Sequence, residues 1–344
     1  MFFLVSIASE VFDRMMRMRV LYRQLGIEAS VTRDAPWLLR DVRRSFGGRF
    51  VLLDWLNAQV LADIPFAGAA GFAINGDAIM ACSWTQQSVH VLQGRETLSS
   101  ISHRWFNYLH SLDVVTNGNY LLASAGSDLI VEVTPRGEPV WDWFGPEHGY
   151  DRQPCGKPAF CDRDADYRAI RRRTGEQAMH VTSAIQRDER TVLATLFHQG
   201  TLVAIDRATG GVVVKMRDLS RPHGIHRRPG GFLLSDTLGH RIILLSEDLE
   251  VFSEIPCGSQ WLQDTIATGA DTFLTLENVH IDQLPEPGLT NRIAEVDSTG
   301  RTLRSVSVGA DCRLFTVREV SAPFARSLAC AWGRSGELAG WEWN

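Results

Sequence analysis

The sequence contains no long hydrophobic run. Its apolar N-terminal segment, residues 1–7, is short, has no basic residue at its start and reaches Glu10 without a small-residue cleavage pattern. A membrane-spanning helix needs about 20 apolar residues, and a secretory signal peptide needs a basic start and a small-residue cleavage site. We therefore expect neither a membrane span nor a signal peptide.

Neither sign of charge is in large excess. The 344 residues include 35 Lys and Arg against 40 Asp and Glu, which gives a formal net charge of −5. A surface that binds nucleic acid needs a clustered basic face. The two dense basic runs, residues 40–49 and 168–173, are more simply explained as solvated faces. We therefore expect no nucleic-acid partner.

Cysteine is also scarce, with six in the chain. Cys82 and Cys330 fall in predicted strands, where we expect buried thiols. Cys155 and Cys161 share one predicted loop, where they can pair, bind a metal or do neither. This cysteine usage favours a reduced, cytoplasmic protein.

The sequence does contain a repeated β unit. In residues 110–145, four short runs rich in β-branched and aromatic residues are separated by turn-forming residues at 117–118, 126–127 and 135–137. This spacing predicts one four-stranded antiparallel sheet. Because such a sheet has two faces and cannot bury them alone, we expect the unit to recur.

Further copies of the unit are present at irregular spacing. Three begin at His180, His223 and Trp261, one precedes them at residues 71–101, and an incomplete one follows at residues 314–332. Six copies predict an all-β fold, a six-bladed β-propeller.

The two ends of the chain are predicted to share one blade. An outer hairpin at residues 50–64 comes before any inner strand pair, and the copy at residues 314–332 has an inner pair with little after it. Ring closure between N- and C-terminal strands removes exposed sheet edges. Residues 49–344 then form the propeller, and residues 1–48 form an N-terminal strand/helix extension with a short α-helical part.

Two insertions interrupt the copies, at residues 146–179 and 279–290. Because strands alternate in direction, both connections emerge on the same face of a propeller. Long loops on one face of a rigid scaffold usually carry the functional site. We expect this face, the mouth of the propeller channel, to bind a small molecule, with the first insertion as a lid.

Three histidines are predicted at equivalent positions on this face. His110, His180 and His223 each stand at the start of an innermost strand, and Gln263 holds the corresponding place in the next copy. Strand alternation points these side chains together. Three neutral imidazoles bind divalent transition metals such as zinc, iron, manganese or copper and leave coordination positions open. The sequence therefore predicts a metal site at these histidines.

A second set of residues is predicted at the ends of the second strands, on the same face. Of these, Glu277, Asp236 and His198 are the expected catalytic residues. Trp84 and Trp332 are expected to line the substrate pocket, together with Gln263 from the first set and His280, which lies just beyond the second strands. One of the two carboxylates would act as a base. The simpler alternatives are packing between blades for the two tryptophans and hydrogen bonds to loop backbone for the two carboxylates.

The motif HSLDVVTNGNYLLA at residues 110–123, followed by LIVEVTPRGEPVWDW at residues 129–143, resembles the blade signature of arylsulfotransferase-like propellers. The copies at His180 and His223 are similar, more generally, to gluconolactonase and NHL-repeat propellers. The first resemblance implies sulfuryl transfer between phenols through a channel histidine, which His110, His180 or His223 would provide. The second implies one divalent metal at the channel mouth, although that family uses carboxylate and amide ligands where imidazoles stand here.

Three hypotheses follow for the function. The first is an enzyme, a hydrolase, lyase or oxidase, that acts on a small organic molecule with a divalent metal held by the three histidines. The second is a metal-free sulfuryl or group transferase, or a lyase, that uses one channel histidine. The third is a non-catalytic propeller that binds other proteins. The sequence leaves the oligomeric state open.

Overall fold

A computed structural model describes residues 1–11, 46–170, 172–279, 290–334 and 341–344. The fold is a six-bladed β-propeller, as the repeat predicts. In the described part of the chain, 25 strands form six sheets, and one α-helix lies near the C-terminus. No helix within these ranges is long and apolar enough to cross a membrane.

The strands follow one another as successive antiparallel hairpins. The first seven are β1 (Phe2–Ser9), β2 (Arg49–Asp54), β3 (Gln59–Pro65), β4 (Ala69–Asn75), β5 (Ala78–Ser83), β6 (Ser88–Gln93) and β7 (Glu96–Ile101). The next twelve are β8 (Leu109–Val114), β9 (Tyr120–Ser124), β10 (Leu129–Val133), β11 (Pro139–Phe144), β12 (Val181–Gln186), β13 (Thr191–Leu196), β14 (Thr201–Asp206), β15 (Val212–Met216), β16 (Pro222–Arg228), β17 (Gly231–Asp236), β18 (Arg241–Leu245) and β19 (Val251–Pro256). The last elements are β20 (Trp261–Ala267), β21 (Thr272–Asn278), β22 (Arg292–Asp297), β23 (Thr302–Ser307), β24 (Arg313–Val320), the helix α1 (Ala322–Trp332) and β25 (Glu342–Trp343).

The chain divides into two compact units. The first contains residues 1–70, 94–96 and 255–344, and the second contains residues 71–93 and 97–254. The second unit is built on four sheets whose strands lie in sequence order, from β4–β7 to β16–β19. The predicted turn between β8 and β9 is present, with Gly118 at φ 84°, a conformation that glycine adopts without steric cost.

Burial in the second unit follows the place of each strand in its sheet. Every residue of β9 and β10 is buried, whereas most residues of the outer strand β7 are exposed. Inner strands are covered on both faces, so they consist of nearly continuous apolar residues. Leu121 and Ile130 of one sheet pack in the same core as Val192 and Val203 of the next sheet.

The closing sheet lies in the first unit and has the strand order β24-β1-β2-β3. It confirms ring closure between the strand near the C-terminus and the hairpin at residues 50–64. β1 pairs with β2 on one side and with β24 on the other. Residues 2–9, assigned to the predicted extension 1–48, thus form the second strand of this sheet. The helical part predicted for that extension falls in residues 12–45, outside the described residues.

Residues 322–332 form the helix α1, whereas the sequence predicted strand structure there. The Ser321 hydroxyl accepts a hydrogen bond from the Phe324 N–H (3.4 Å), and a proline stands in the first turn, both typical of a helix start. Phe324, Leu328 and Trp332 are buried at the spacing of one helix face. The strand prediction was wrong because the N-terminal β1, far away in sequence, fills the second place in the sheet.

The other sheet of the first unit has five strands, β20-β21-β22-β23-β25. The short β25 pairs with the outer strand β23. The Trp343 ring lies 5.2 Å from the Trp55 ring, centroid to centroid. The C-terminal residues therefore cover an outer sheet edge, which protects that edge from pairing with other chains.

The first predicted insertion, residues 146–179, belongs to the second unit and contains short 3₁₀ turns. Arg163 joins the insertion to β11 through an ion pair with Asp142 (2.8 Å), and it also pairs with Glu147 inside the insertion (2.7 Å). Tyr167, which belongs to the insertion, is fully buried. The second predicted insertion, residues 279–290, lies outside the described residues except at its two ends.

All six cysteines are free thiols. Cys82 is buried, as predicted, whereas Cys330 lies exposed on α1. Cys155 and Cys161 are both exposed in the first insertion and are not joined by a disulfide.

Candidate functional site

Three consecutive sheets of the second unit begin with the same irregularity. Leu109, Val181 and Pro222 each pair with the last residue of the second strand, and the pairing then slips. The residues directly after them, at the β-bulges, are His110, Thr182 and His223. A β-bulge turns a side chain away from its regular alternation. The site is therefore built on backbone features that strand alternation does not reveal.

The residue before each of these strands has a positive φ. The values are 52° for Tyr108, 51° for His180 and 55° for Arg221. Non-glycine residues seldom adopt this conformation, and it persists where surrounding contacts determine it. His180 thus corresponds to Tyr108 and Arg221. The predicted equivalence of the three histidines holds for His110 and His223 but is wrong for His180.

The three histidine rings nevertheless lie together. The His110 ring is 5.4 Å from both the His180 ring and the His223 ring, centroid to centroid. The Phe197 ring lies 4.9 Å from His180 and 5.5 Å from His223, and Tyr108 lies 5.9 Å from His180. All three histidines are buried. We call His110, His180 and His223 the histidine cluster.

Two members of the histidine cluster are held at Nδ1. His223 Nδ1 lies 3.0 Å from the Arg221 carbonyl oxygen and 2.7 Å from the Thr237 hydroxyl. His180 Nδ1 lies 2.5 Å from Gln177 Oε1. Because the Arg221 carbonyl oxygen and Gln177 Oε1 can only accept, Nδ1 carries the proton in each neutral ring, and the lone pair is on Nε2.

Burial and neighbouring imidazoles keep His180 neutral. Burial is the largest cause that holds the pKa of His180 well below its usual range, followed by charge on His110, His198 and His223. Burial also lowers the pKa of His198. The His198 ring lies 6.0 Å from His180, and its Nε2 donates to the Thr174 carbonyl of the first insertion (2.8 Å).

The remaining predicted residues of the second unit lie in other contacts. Asp236 is fully buried, and its carboxylate accepts from the Ser220 N–H (2.6 Å) and from Arg241 Nε (2.9 Å). Burial raises its pKa. These bonds fit the simpler interpretation of Asp236 as a partner of loop backbone. The Trp84 ring packs 5.6 Å from the Tyr108 ring and thus reaches the aromatic surroundings of the histidine cluster.

Three predicted residues belong to the first unit. Glu277 accepts from Arg292 Nε (2.5 Å) and from the Thr275 hydroxyl (2.8 Å). Gln263 Oε1 accepts a hydrogen bond from Trp261 Nε1 (2.9 Å). Trp332, in α1, donates from Nε1 to the Gly94 carbonyl oxygen (2.8 Å). The predicted catalytic and pocket roles of these residues stay predictions. His280 lies outside the described residues.

Metal binding by the histidine cluster also stays a prediction. One ion would need the ring nitrogens about 2 Å from a common point. Among the described residues, no group of three or more His, Cys, Asp or Glu side chains is arranged to hold a metal ion.

Several residues around the cluster were missed in the sequence. Tyr108, Phe197 and Gln177 contact its rings, and Asp128 binds the backbone of His180. No sequence signal marks a positive φ at a residue other than glycine or asparagine, so the position of His180 was hidden. Gln177 stands only three residues before His180, so its contact with the His180 ring could have been considered from the sequence.

No family model matches the chain, and no curated protein matches it. Solved structures do. A protein of unknown function from Bacteroides caccae is 14% identical with a TM-score of 0.52, covering 74% of this chain and 88% of its own. A streptogramin B lyase is 10% identical with a TM-score of 0.51, covering 78% and 86%. A chain of a nidogen/laminin complex is 9% identical with a TM-score of 0.56, covering 92% and 97%.

These similarities define the class of protein by fold. At such identities they show the β-propeller architecture alone, because one fold supports many unrelated activities. The function must therefore be argued from the histidine cluster.

Proposed function

We propose that the chain is an enzyme that acts on a small organic molecule and uses His180 as a general base or nucleophile, in lyase or group-transfer chemistry. One observation carries the proposal: three buried imidazoles from consecutive sheets pack together, and two of them are anchored at Nδ1. A single buried histidine is commonly structural, whereas here the His110 ring packs against two further buried imidazoles.

Anchoring at Nδ1 selects the reactive nitrogen. Gln177 orients the His180 ring, and the Arg221 carbonyl with the Thr237 hydroxyl orients His223. Such a ring accepts a substrate proton, or attacks an electrophilic atom, through Nε2. We assign these roles to Nε2 of His180, whose ring packs against that of His110.

The protonation state of His180 supports the same role. Its lowered pKa keeps the imidazole unprotonated at neutral pH. Only an unprotonated ring has the lone pair that a base or nucleophile requires. The aromatic rings of Phe197 and Tyr108 provide apolar surface beside it, which suits an organic substrate.

The streptogramin B lyase of similar fold is a lyase by name. Fold similarity does not determine chemistry. We include lyase chemistry because proton abstraction by an unprotonated imidazole is one of the steps that such a reaction needs.

Matched asparagine variants test the proposal. His180 and His240 have nearly equal positive φ values, 51° and 52°, and asparagine tolerates this conformation. His240 is exposed, so His240→Asn is the control. In a screen of cyclic esters, aryl sulfates and substrates prone to elimination, we expect turnover by the wild type and the control, and a loss of about 100-fold or more in His180→Asn. Equal turnover by both variants would overturn the proposal.

The second candidate is metal-dependent catalysis with zinc, iron, manganese or copper on the histidine cluster. The observation that favours it is the hydrogen bonding of Nδ1 in His180 and His223, because metal-binding histidines usually donate their other ring N–H to an oxygen acceptor. In this candidate the two Nε2 atoms would be ligands.

We further propose a reducing, cytoplasmic location. Six free cysteines, three of them exposed, are usual where glutathione and thioredoxin keep thiols reduced. The proposed partner is a small-molecule substrate.

A further inference from the structure

Asp128 is a fully buried carboxylate at the end of a 3₁₀ turn, with φ 53°. Its Oδ1 accepts from the N–H groups of Met179 (2.8 Å) and His180 (3.1 Å). Its Oδ2 accepts from the Ala178 N–H (2.7 Å) and from Arg172 Nη2 (3.0 Å). A buried charge needs paired and hydrogen-bonded partners, and this carboxylate has four donors.

Three of these donors are consecutive backbone N–H groups that end at His180. Their convergence on one carboxylate fixes the chain direction from residue 178 to residue 180. His180 has a positive φ, which an isolated histidine avoids. Without the carboxylate, these N–H groups would be buried without an acceptor, and the backbone would turn His180 toward a common conformation. The ring would then leave its place beside His110.

Arg172 ties the same carboxylate to the first insertion. Its guanidinium, nearly fully buried, also donates to the carbonyls of Gly126 (2.9 Å) and Glu176 (2.8 Å). The residue after Glu176 is Gln177, whose side chain holds His180 Nδ1. Asp128 therefore fixes both the backbone of His180 and the turn that carries the partner of its ring.

We infer that Asp128 is a positioning residue that sets the orientation and tautomer of the His180 imidazole. Its consequence for catalysis rests on the proposed function, but its effect on the imidazole does not. Replacing Asp128 should release the His180 ring from Gln177 while the remaining sheets stay folded.

The test is nuclear magnetic resonance of ¹⁵N-histidine-labelled protein, with the His180 signals assigned by their loss in His180→Asn. In the wild type we expect one neutral tautomer, protonated at Nδ1, with slow exchange of that proton. In Asp128→Asn we expect a mixture of tautomers and exchange faster by about 10-fold or more, because asparagine replaces one acceptor oxygen by a donor.

Asp206→Asn is the matched control. Asp206 Oδ1 also accepts from two backbone N–H groups, of Ala208 (3.0 Å) and Thr209 (2.9 Å), in an exposed turn after β14. This variant should leave the His180 signals unchanged. If Asp128→Asn does not fold by circular dichroism, Arg172→Gln replaces it, and a smaller change in the same direction is expected.

Unchanged His180 signals in a folded Asp128→Asn, or in Arg172→Gln where that variant replaces it, would overturn the inference. Because this experiment needs no substrate, its result is separate from that of the activity screen. A changed tautomer together with full activity of His180→Asn would leave the positioning role intact and overturn only the proposed function.

Discussion

The imidazole rings of His110 and His180 lie 5.4 Å apart and nearly perpendicular, at 87°. They meet from unequal positions in their sheets. His110 follows the first residue of β8 at a bulge, whereas His180 precedes β12 with φ 51°. The contact therefore depends on two local departures from regular strand geometry, which gives each of them a measurable role.

The buried, neutral state of His180 predicts a pH dependence of stability. Its pKa is well below the ordinary value of 6.5 in the folded chain, so below about pH 6.5 the unfolded chain binds the additional proton. The free energy of unfolding should therefore fall as the pH falls, by up to about 1.4 kcal/mol per pH unit for this one group. Urea unfolding at pH 7.5, 6.5 and 5.5 measures the slope.

Two histidine variants show whether His180 causes that slope. His180→Asn should flatten it, and His240→Asn should leave it unchanged because His240 is exposed. His198, whose pKa is also lowered by burial, should leave part of the slope in the first variant. If the free energy of unfolding of His180→Asn depended on pH as steeply as that of the wild type, His180 would not be the cause of the slope.

A second prediction concerns the N-terminal strand. Val5 of β1 is fully buried between β2 and β24, whereas Val213 of β15 is 57% exposed. Val5→Ala should lower the free energy of unfolding by about 2 kcal/mol, from lost transfer free energy and a residual cavity. Val213→Ala should change it by less than about 0.5 kcal/mol. Similar values in urea unfolding would mean that β1 contributes little to the closing sheet.

The sheets were predictable because their signals are local. Turn residues such as Asn117-Gly118 and runs of alternating residues identify hairpins without knowledge of the rest of the chain. The second strand of the closing sheet was not predictable in this way, since β1 reaches β24 across more than 300 residues, as the pairing of Val5 with Val317 shows. An apolar run such as FFLVSIAS fits many places in a sheet.

The candidate site was predictable in its residues and not in its geometry. His110, His180 and His223 do pack together, but β-bulges and positive φ values determine how their rings are placed. Neither feature can be recognised in the sequence when the residue concerned is not glycine. One of Asp236 and Glu277 was expected to act as a base because both stand at the ends of second strands, on the face that carries the insertions. Asp236 forms an ion pair with Arg241, and Glu277 forms one with Arg292. The sequence alone does not show these pairings, and the predicted catalytic roles of the two carboxylates stay predictions.

Thiol reactivity should separate the cysteines by burial. Cys257 is buried, and burial is the main cause that raises its pKa to about 12; burial also raises the pKa of Cys82. Because the thiolate is the nucleophile, neither should react with iodoacetamide in the folded protein at pH 8. Cys155 and Cys330 are exposed and should be labelled before the buried thiols. Peptide mass spectrometry with and without urea measures the labelling of each cysteine, and Cys155→Ser serves as the control. Rapid labelling of Cys257 in folded protein would contradict the packing around it.

The metal prediction from the sequence has its own expected outcome. If the histidine cluster holds a divalent transition metal, tag-free protein purified without chelator should contain close to one equivalent by elemental analysis. A variant with His110, His180 and His223 all replaced by alanine should contain none, and a His240→Asn control should retain it because that exposed side chain is not part of the cluster. Imidazole ligands bind such ions in the neutral state, so metal content should fall as the buffer is acidified. Metal-free wild type, even after incubation with zinc, iron(II), manganese and copper, would contradict the prediction and leave acid–base or nucleophilic chemistry at Nε2 of His180 as the role to test.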